Sequence, residues 1–229
     1  MPLITTGGSQ RQAPRWTWIL FDLDGTLTDP VIGISRSIVA ALEARGYPAP
    51  EPESLGWAVG PPIRDTFARL VGSGDPVIIE DLVAAFRQRF VPVGLYENTV
   101  YPGVAACLEA CRQAGCTMAI ATAKPSILAR RVLQHFGLHG HFAAVVGSYL
   151  DGRRVDKGWI IRRAMTLMGA DPARGVMIGD RATDIAGARA SGLEAIGVTW
   201  GYAASGELSA AEPTAVARST THLRQLLLP

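Results

Sequence analysis

WTWILFDLDGTLTD, residues Trp16–Asp29, is the stretch from which the topology of the chain can be worked out. Its first part, Trp16–Phe21, is a largely apolar run, as is typical of a parallel strand that is covered on both faces. Asp22 and Asp24 follow, and then Gly25, which permits a bend because glycine tolerates backbone angles that other residues resist. The stretch predicts a buried strand with two carboxylates at its carboxyl end, where open α/β sheets bind their ligands.

Further apolar runs alternate with helical patterns along the second half of the chain. These runs are Cys116–Ala121, Ala143–Gly147, Gly175–Gly179 and Ala195–Trp200. Repeated alternation of this kind predicts an α/β fold, a Rossmann-like parallel sheet with helices on both faces. Residues 201–217 show no clear period, and Leu223–Leu228 is predicted to be a closing helix.

A long helical block interrupts this alternation directly after the first strand. It contains several amphipathic patterns, such as Ile34, Ile38 and Leu42, and no convincing strand. An insertion at this point would hang over the two carboxylates. We therefore predict an all-helical cap domain in residues 31–98, an α/β core in residues 15–30 and 99–229, and a flexible tail in residues 1–14.

Composition describes an ordinary globular protein and excludes some partners. Of the 229 residues, 48% are hydrophobic and 18% are charged, which predicts a substantial core. A formal net charge of +2 is too small to suggest a nucleic-acid or membrane partner. The three cysteines are an odd number, which argues against a disulfide framework and favours a reduced, cytoplasmic setting. The sequence leaves open whether the protein is a monomer or a homodimer.

Polar residues cluster at the predicted strand ends. They are Asp22 and Asp24 after the first strand, Thr122 after the second, Asp180 and Asp184 after the fourth, and Lys157 at the start of the preceding helix. Because the strands are parallel, we expect all of these residues at one edge of the sheet. Converging carboxylates repel one another unless a cation joins them, and Mg²⁺ suits such an oxygen-rich site. A purely structural alternative is that acids after strands cap helices, as Asp184 alone could do.

The same residues resemble the four motifs of the haloacid dehalogenase-like hydrolase superfamily. The matching segments are Asp22–Thr26 (DLDGT), Thr122, Lys157 and Gly179–Asp184 (GDRATD). The helical insertion resembles the cap of the phosphoglycolate phosphatase-like branch, in which some members hydrolyse nucleoside monophosphates. The resemblance covers nearly the whole chain after the tail.

The resemblance implies a role for each residue. Asp22 is expected to be the nucleophile that forms an aspartyl-phosphate, and Asp24 the acid and base that serves the leaving oxygen and then water. The expected metal ligands are Asp22, Asp24 through its main-chain carbonyl, Asp180 and Asp184, and the expected phosphate-binding residues are Thr122, Ala123 and Lys157.

Two basic residues have open roles at this point. Arg64 follows the Gly60–Pro62 turn, where such caps contact substrate, so it is a candidate for binding an anionic group or else an exposed helical arginine. Lys124 and Lys157 are the only lysines among 22 basic residues. Lys124 either touches the site or faces solvent after the second strand.

The function implied is that of a Mg²⁺-dependent phosphatase acting on a small phosphorylated metabolite similar to phosphoglycolate. The alternatives are a 5′-nucleotidase, a phosphosugar mutase, a pyrophosphatase and a non-catalytic phospho-switch. Dehalogenation is disfavoured because the related dehalogenases lack an acid at the position of Asp24. Phosphonate cleavage would by resemblance require a lysine in the cap, and residues 31–98 contain none.

Overall fold

The computed structural model describes residues 13–228. The predicted tail of residues 1–14 lies outside this range except for its last two positions. Within the described range, no helix is both long and apolar enough to cross a membrane.

Strands and helices alternate through most of the described chain. The strands are β1 (Trp18–Phe21), β2 (Thr28–Asp29), β3 (Thr99–Val100), β4 (Thr117–Pro125), β5 (Ala144–Ser148), β6 (Gly175–Gly179), β7 (Glu194–Val198) and β8 (Ala215–Ala217). The α-helices are α1 (Val31–Glu43), α2 (Ile63–Val71), α3 (Pro76–Arg89), α4 (Val104–Gln113), α5 (Ser126–His135), α6 (Lys157–Met168), α7 (Ala182–Arg189), α8 (Glu207–Ala211) and α9 (Thr220–Leu227).

Six parallel strands form the central sheet, in the order β5-β4-β1-β6-β7-β8. Successive side chains of β1 enter cores on opposite faces of the sheet, as strand geometry requires. Ile19 and Phe21 pack in one core with residues of α4 and α5, while Leu20 packs in the other with residues of α6 and α7. The predicted α/β fold with helices on both faces is confirmed.

The segment of residues 31–98 consists of helices joined by loops and contains no strand, and we call it the helical insertion. Besides α1, α2 and α3 it contains a 3₁₀ helix, Pro52–Ala58, and a π-helical turn, Phe90–Gly94. α1 packs against α3. Antiparallel β2 and β3 pair with each other just outside the two ends of this segment. Each has only two residues, which is too short to produce a sequence period.

Several element boundaries differ from the sequence prediction, and some short elements were not predicted at all. β1 begins at Trp18 rather than Trp16. β4 continues to Pro125, so Thr122 lies within the strand and not after it. Residues 201–217, which show no period, contain α8 and the edge strand β8. Elements of three to five residues carry too few side chains for a pattern, and pairing with β7 stabilises β8.

Candidate active site

The first two acidic residues lie where β1 leaves the sheet. The main-chain N–H of Asp22 donates to the carbonyl of Ile178 at 2.9 Å, which ties this position to neighbouring β6. Gly25 then turns the chain with φ of 85°. A Cβ at Gly25 would lie 2.4 Å from Oδ2 of Asp180, so only glycine fits this turn. The local sequence thus places the β1 acids beside those of β6.

Three carboxylates form a compact group at this edge of the sheet. One oxygen from each of Asp22, Asp180 and Asp184 lies within 4.8 Å of the others. All three side chains are buried. The side chain of Asp24 does not belong to this group, and its expected contact with a metal through the main-chain carbonyl stays a prediction.

Lys157 is the ammonium group next to these carboxylates. Its Nζ lies 2.6 Å from Oδ1 of Asp184 and 3.1 Å from Oδ1 of Asp22, and it donates a hydrogen bond of 3.0 Å to the carbonyl of Ala121. Burial alone would lower the pKa of Lys157, but Asp184 and Asp22 together raise it above its ordinary value. Lys157 is therefore a permanent positive charge in the site.

Lys124 provides a second buried ammonium group. Its Nζ lies 2.7 Å from Oδ2 of Asp24 and 5.2 Å from the centre of the Phe90 ring. Lys124 therefore contacts the site instead of facing solvent, and it joins the β1 acid to the helical insertion. Burial raises the pKa of Asp24, and Lys124 opposes that rise.

Main-chain groups orient the two acids that follow β6. Oδ2 of Asp180 accepts a hydrogen bond of 2.7 Å from the N–H of Tyr202. Oδ2 of Asp184 accepts one of 3.1 Å from the N–H of Arg181 at the start of α7. Asp184 thus caps α7 while also belonging to the carboxylate group, and its role as a metal ligand stays a prediction.

The electrostatics of the group favour a bound cation. Burial, and then repulsion by Asp22 and Asp184, raises the pKa of Asp180 to about 7. Burial raises the pKa of Asp184 to about 6 against the opposing effect of Lys157. Four buried carboxylates face two buried ammonium groups here, so a divalent cation would supply the missing positive charge. Among the described residues, Oδ1 of Asp22 and Oδ1 of Asp184 meet no donor other than the ammonium of Lys157. The residues fit a metal site of hard oxygen ligands.

These pKa shifts predict how the metal-free protein responds to pH. Because the pKa values of Asp180 and Asp184 are raised, the folded state binds more protons than the unfolded state between about pH 4 and 7. Stability in EDTA should therefore fall as pH rises through this window, by up to about 1.4 kcal/mol per pH unit for each carboxylate. Mg²⁺ at pH 7.5 should raise the melting temperature, since it binds only the folded state.

Thermal unfolding at pH 5.5 and 7.5, with EDTA or Mg²⁺, measures this effect. The Asp180→Asn variant is the matched control, because it removes one titrating carboxylate and should show a weaker pH dependence and a smaller response to Mg²⁺. A melting temperature in EDTA that is independent of pH would contradict the expected repulsion.

A cavity of about 120 Å³ opens above the β1 acids. The core contributes Asp22, Asp24, Thr122, Ala123, Lys124, Pro125 and Leu128, and the helical insertion contributes Ile34, Ala58, Gly60, Pro61, Pro62, Ile63, Phe86, Arg87 and Phe90. The expected phosphate-binding residues Thr122 and Ala123 thus line the same space as the expected nucleophile. Lys157 contacts Asp22 but does not line this cavity; it lines a neighbouring groove.

Arg64 lies outside the walls of this cavity. Its guanidinium makes two hydrogen bonds to Glu80, of 2.5 and 2.9 Å, and packs against Gly152. The structure brings together all the predicted site residues except this one. Its predicted contact with substrate stays a prediction.

Two participants escaped the sequence interpretation. The first is the main chain of Tyr202, which supports Asp180. Every non-proline residue has a main-chain N–H, so the sequence does not show which one contacts the site. Arg87 in α3 lines the cavity, although its position in an amphipathic helix resembles that of any exposed arginine. The scarcity of lysine was a usable signal, since both lysines of the chain lie in the site.

A parallel α/β sheet with buried carboxylates that could hold a cation at its carboxyl edge, next to a helical insertion, is typical of one class of hydrolytic enzymes. The family model of the haloacid dehalogenase-like hydrolases matches residues 16–192. The chain belongs to this family, and the predicted enzyme class, a haloacid dehalogenase-like phosphatase, is confirmed.

The chain is similar to relatives named as a nucleotidase, a protein kinase and a phosphatase, and to solved structures of phosphatases. The chain is 41% identical to a 5′-nucleotidase of Pseudomonas aeruginosa, over 94% of this chain and 97% of the relative. It is 36% identical to the tyrosine-protein kinase PtkA of Mycobacterium tuberculosis, over 91% of this chain and 72% of the relative. It is 32% identical to a plasmid-encoded phosphoglycolate phosphatase of Cupriavidus necator, over 93% of this chain and 94% of the relative. The crystal structure of a predicted phosphatase from Clostridium acetobutylicum superposes with a TM-score of 0.86 at 35% identity, covering 92% of this chain and 97% of that one.

Proposed function

We propose that the protein is a Mg²⁺-dependent phosphatase that hydrolyses small phosphomonoesters through an aspartyl-phosphate on Asp22. One observation carries this proposal: Asp22 lines the cavity and also belongs to the group of three carboxylates. Its carboxylate can therefore meet a phosphoryl group beside a cation site. Mg²⁺, held by Asp22, Asp180, Asp184 and the Asp24 carbonyl, would reduce the repulsion between the two anions.

Asp24 is suited to the proton transfers. Burial raises its pKa, which makes it easier for this carboxyl group to take up a proton and to donate it to the leaving oxygen. The carboxylate that results, paired with Lys124, can then accept the proton of the water that attacks the phosphorylated Asp22. Thr122 and Ala123 line the space in which the phosphoryl oxygens would lie. The ammonium of Lys157, 3.1 Å from Oδ1 of Asp22, places a positive charge beside the attacking carboxylate and the phosphoryl group.

Residues 31–98 act as a cap domain in this proposal, above a core of residues 15–30 and 99–229. Both parts contribute to the cavity walls. Nη1 of Arg181 in the core donates a hydrogen bond of 2.9 Å to the carbonyl of Val59 in the helical insertion. A closed cap would exclude water from the phosphoryl group until the first step is complete.

The size of the cavity favours a small substrate such as phosphoglycolate. Its volume is about 120 Å³, and the helical insertion lines it mostly with apolar side chains. A nucleoside monophosphate is the second candidate, favoured by the 41% identity to the 5′-nucleotidase of Pseudomonas aeruginosa. For a nucleotide to enter, the helical insertion would have to move away from the core.

A panel of phosphomonoesters should therefore show a size limit. In the presence of Mg²⁺, we expect the specificity constant for 2-phosphoglycolate to exceed that for nucleoside 5′-monophosphates by about tenfold or more. Phosphate release is measured for each substrate at equal enzyme concentration, with EDTA as the control that removes the metal. Nucleotides leading the panel would replace the phosphoglycolate-type assignment with that of a nucleotidase. Equal rates in EDTA would contradict the dependence on Mg²⁺.

A further inference from the structure

The arginines of the helical insertion differ in how their charge is neutralised. Four of the six pair with carboxylates, and a fifth, Arg69, stacks 4.0 Å from the ring centre of Trp57. The pairs are Arg36–Glu97, Arg45–Asp81, Arg64–Glu80 and Arg89–Glu97. The sixth, Arg87, has no carboxylate within 4.0 Å among residues 13–228.

Arg87 is also the arginine of the insertion that lines the cavity above Asp22. Within residues 13–228, its guanidinium donates a single side-chain hydrogen bond, to the carbonyl of Leu150. A guanidinium has five N–H donors, so most of its capacity is unused. Burial lowers the pKa of Arg87, and the neighbouring positive charge of Arg64 lowers it further. The carboxylates of Glu80 and Asp151 oppose this effect, but each of them pairs with another arginine, Arg64 and Arg153 respectively.

Among the described residues of the cavity walls, Arg87 is the cation that forms no ion pair. The other cation in the walls, Lys124, is already paired with Asp24 at 2.7 Å. Most of the other residues with which the helical insertion lines the cavity are apolar, such as Ile63 and Phe86. They suit a short carbon chain. Arg87 and Asp22 line the same cavity, so one small molecule could contact both of them.

We propose that Arg87 binds a second anionic group of the substrate and so selects phosphomonoesters of small carboxylic acids. This inference rests on the proposed phosphatase function and identifies the residue that sets substrate class. The planar guanidinium can bind a carboxylate through two parallel hydrogen bonds. The neutral end of an alkyl phosphate offers no partner for it.

The kinetic test compares two substrates that differ only in the carboxylate, 2-phosphoglycolate and ethyl phosphate. We expect the wild-type enzyme to favour 2-phosphoglycolate by about 100-fold in kcat/KM, since a site built for a polar group discriminates strongly against analogues that lack it. Arg87→Gln should reduce this preference to within about threefold, chiefly through KM. Arg87→Lys should recover part of it, because the charge returns without the planar fork.

Arg45→Gln is the matched control, because it removes an equal charge from an exposed pair of the same insertion. It should keep the wild-type preference. An Arg87→Gln variant that loses activity on both substrates equally, or that keeps the full preference, would overturn the proposal. Thermal unfolding of each variant shows whether it is folded.

A binding measurement separates this inference from the proposed function. Titration calorimetry with Mg²⁺ compares 3-phosphonopropionate, which cannot be hydrolysed, with n-propylphosphonate, which lacks the carboxylate. We expect the wild-type protein to bind the first at least tenfold more tightly and Arg87→Gln to bind both alike. If the wild-type protein shows this preference in binding but releases no phosphate from any substrate, only the phosphatase proposal is overturned. Equal affinities in the wild-type protein would overturn the role of Arg87 alone.

Discussion

Replacement of Asp22 by asparagine should reduce Mg²⁺-dependent phosphate release by about 10⁴-fold or more, because an amide cannot attack phosphorus to form the covalent intermediate. Asparagine keeps the size of the side chain and removes one of three crowded carboxylates. The fold should therefore remain intact, and the variant should unfold at a temperature no lower than that of the wild-type protein. Initial rates with 2-phosphoglycolate, measured together with thermal unfolding, test both expectations.

The matched control for this variant is Asp65→Asn in α2. Asp65 is exposed and forms no ion pair within residues 13–228, so its replacement should leave the rate unchanged. Turnover by Asp22→Asn within tenfold of the wild-type rate would rule out Asp22 as the nucleophile. A large loss in both variants would instead indicate a general effect of the substitutions.

The second large effect is expected for Lys157→Met. Lys157 is the ammonium that contacts both Asp22 and Asp184, and its removal leaves buried negative charge without a partner. Breaking a buried pair in this way typically costs about 3–5 kcal/mol, so the free energy of unfolding at pH 7.5 should fall by about that amount. Denaturant titration in EDTA measures the change, and phosphate release should be lost as well.

A second substitution shows whether charge, and not packing, explains the loss. In Lys157→Met combined with Asp184→Asn, one uncompensated carboxylate is gone, so the double variant should be more stable than Lys157→Met alone. If the double variant loses the sum of the free energies of unfolding that the two single variants lose, the missing lysine side chain, and not the unpaired charge, explains the effect. A loss below about 1 kcal/mol in Lys157→Met would contradict the tight ion pairs seen in the site.

Most of the site can be predicted from sequence because the strands are parallel. In a parallel sheet, the carboxyl ends of β1, β4 and β6 lie at one edge, so the residues near those ends come together. Apolar runs ending in Asp22, Thr122 and Asp180 therefore identify a common site without any knowledge of distances. Short elements such as β2 and β8 were missed, because a pattern of two or three residues carries no period.

The charged residues of the helical insertion could not be assigned in this way. Sequence alone leaves Arg64, which follows the Gly60–Pro62 turn, as either a substrate contact or an exposed helical arginine. In the fold its guanidinium pairs with Glu80, sixteen residues away, and Arg87 lines the cavity instead. Both arginines lie in amphipathic helices, so only the packing of α2 and α3 against each other and against the core determines which of them faces the cavity.

The parallel α/β fold, the strand-end acids and Lys157 beside them could be predicted from sequence, whereas the role of Lys124 stayed open. These predictions depend on apolar runs and on residues next to them in the chain. Only the folded structure shows that Lys124 pairs with Asp24, that the main chain of Tyr202 holds Asp180, and that Arg87 lines the cavity without an ion pair among the described residues. Each of these depends on contacts between residues far apart in the chain, whose partners are chosen by distance and burial in the folded molecule.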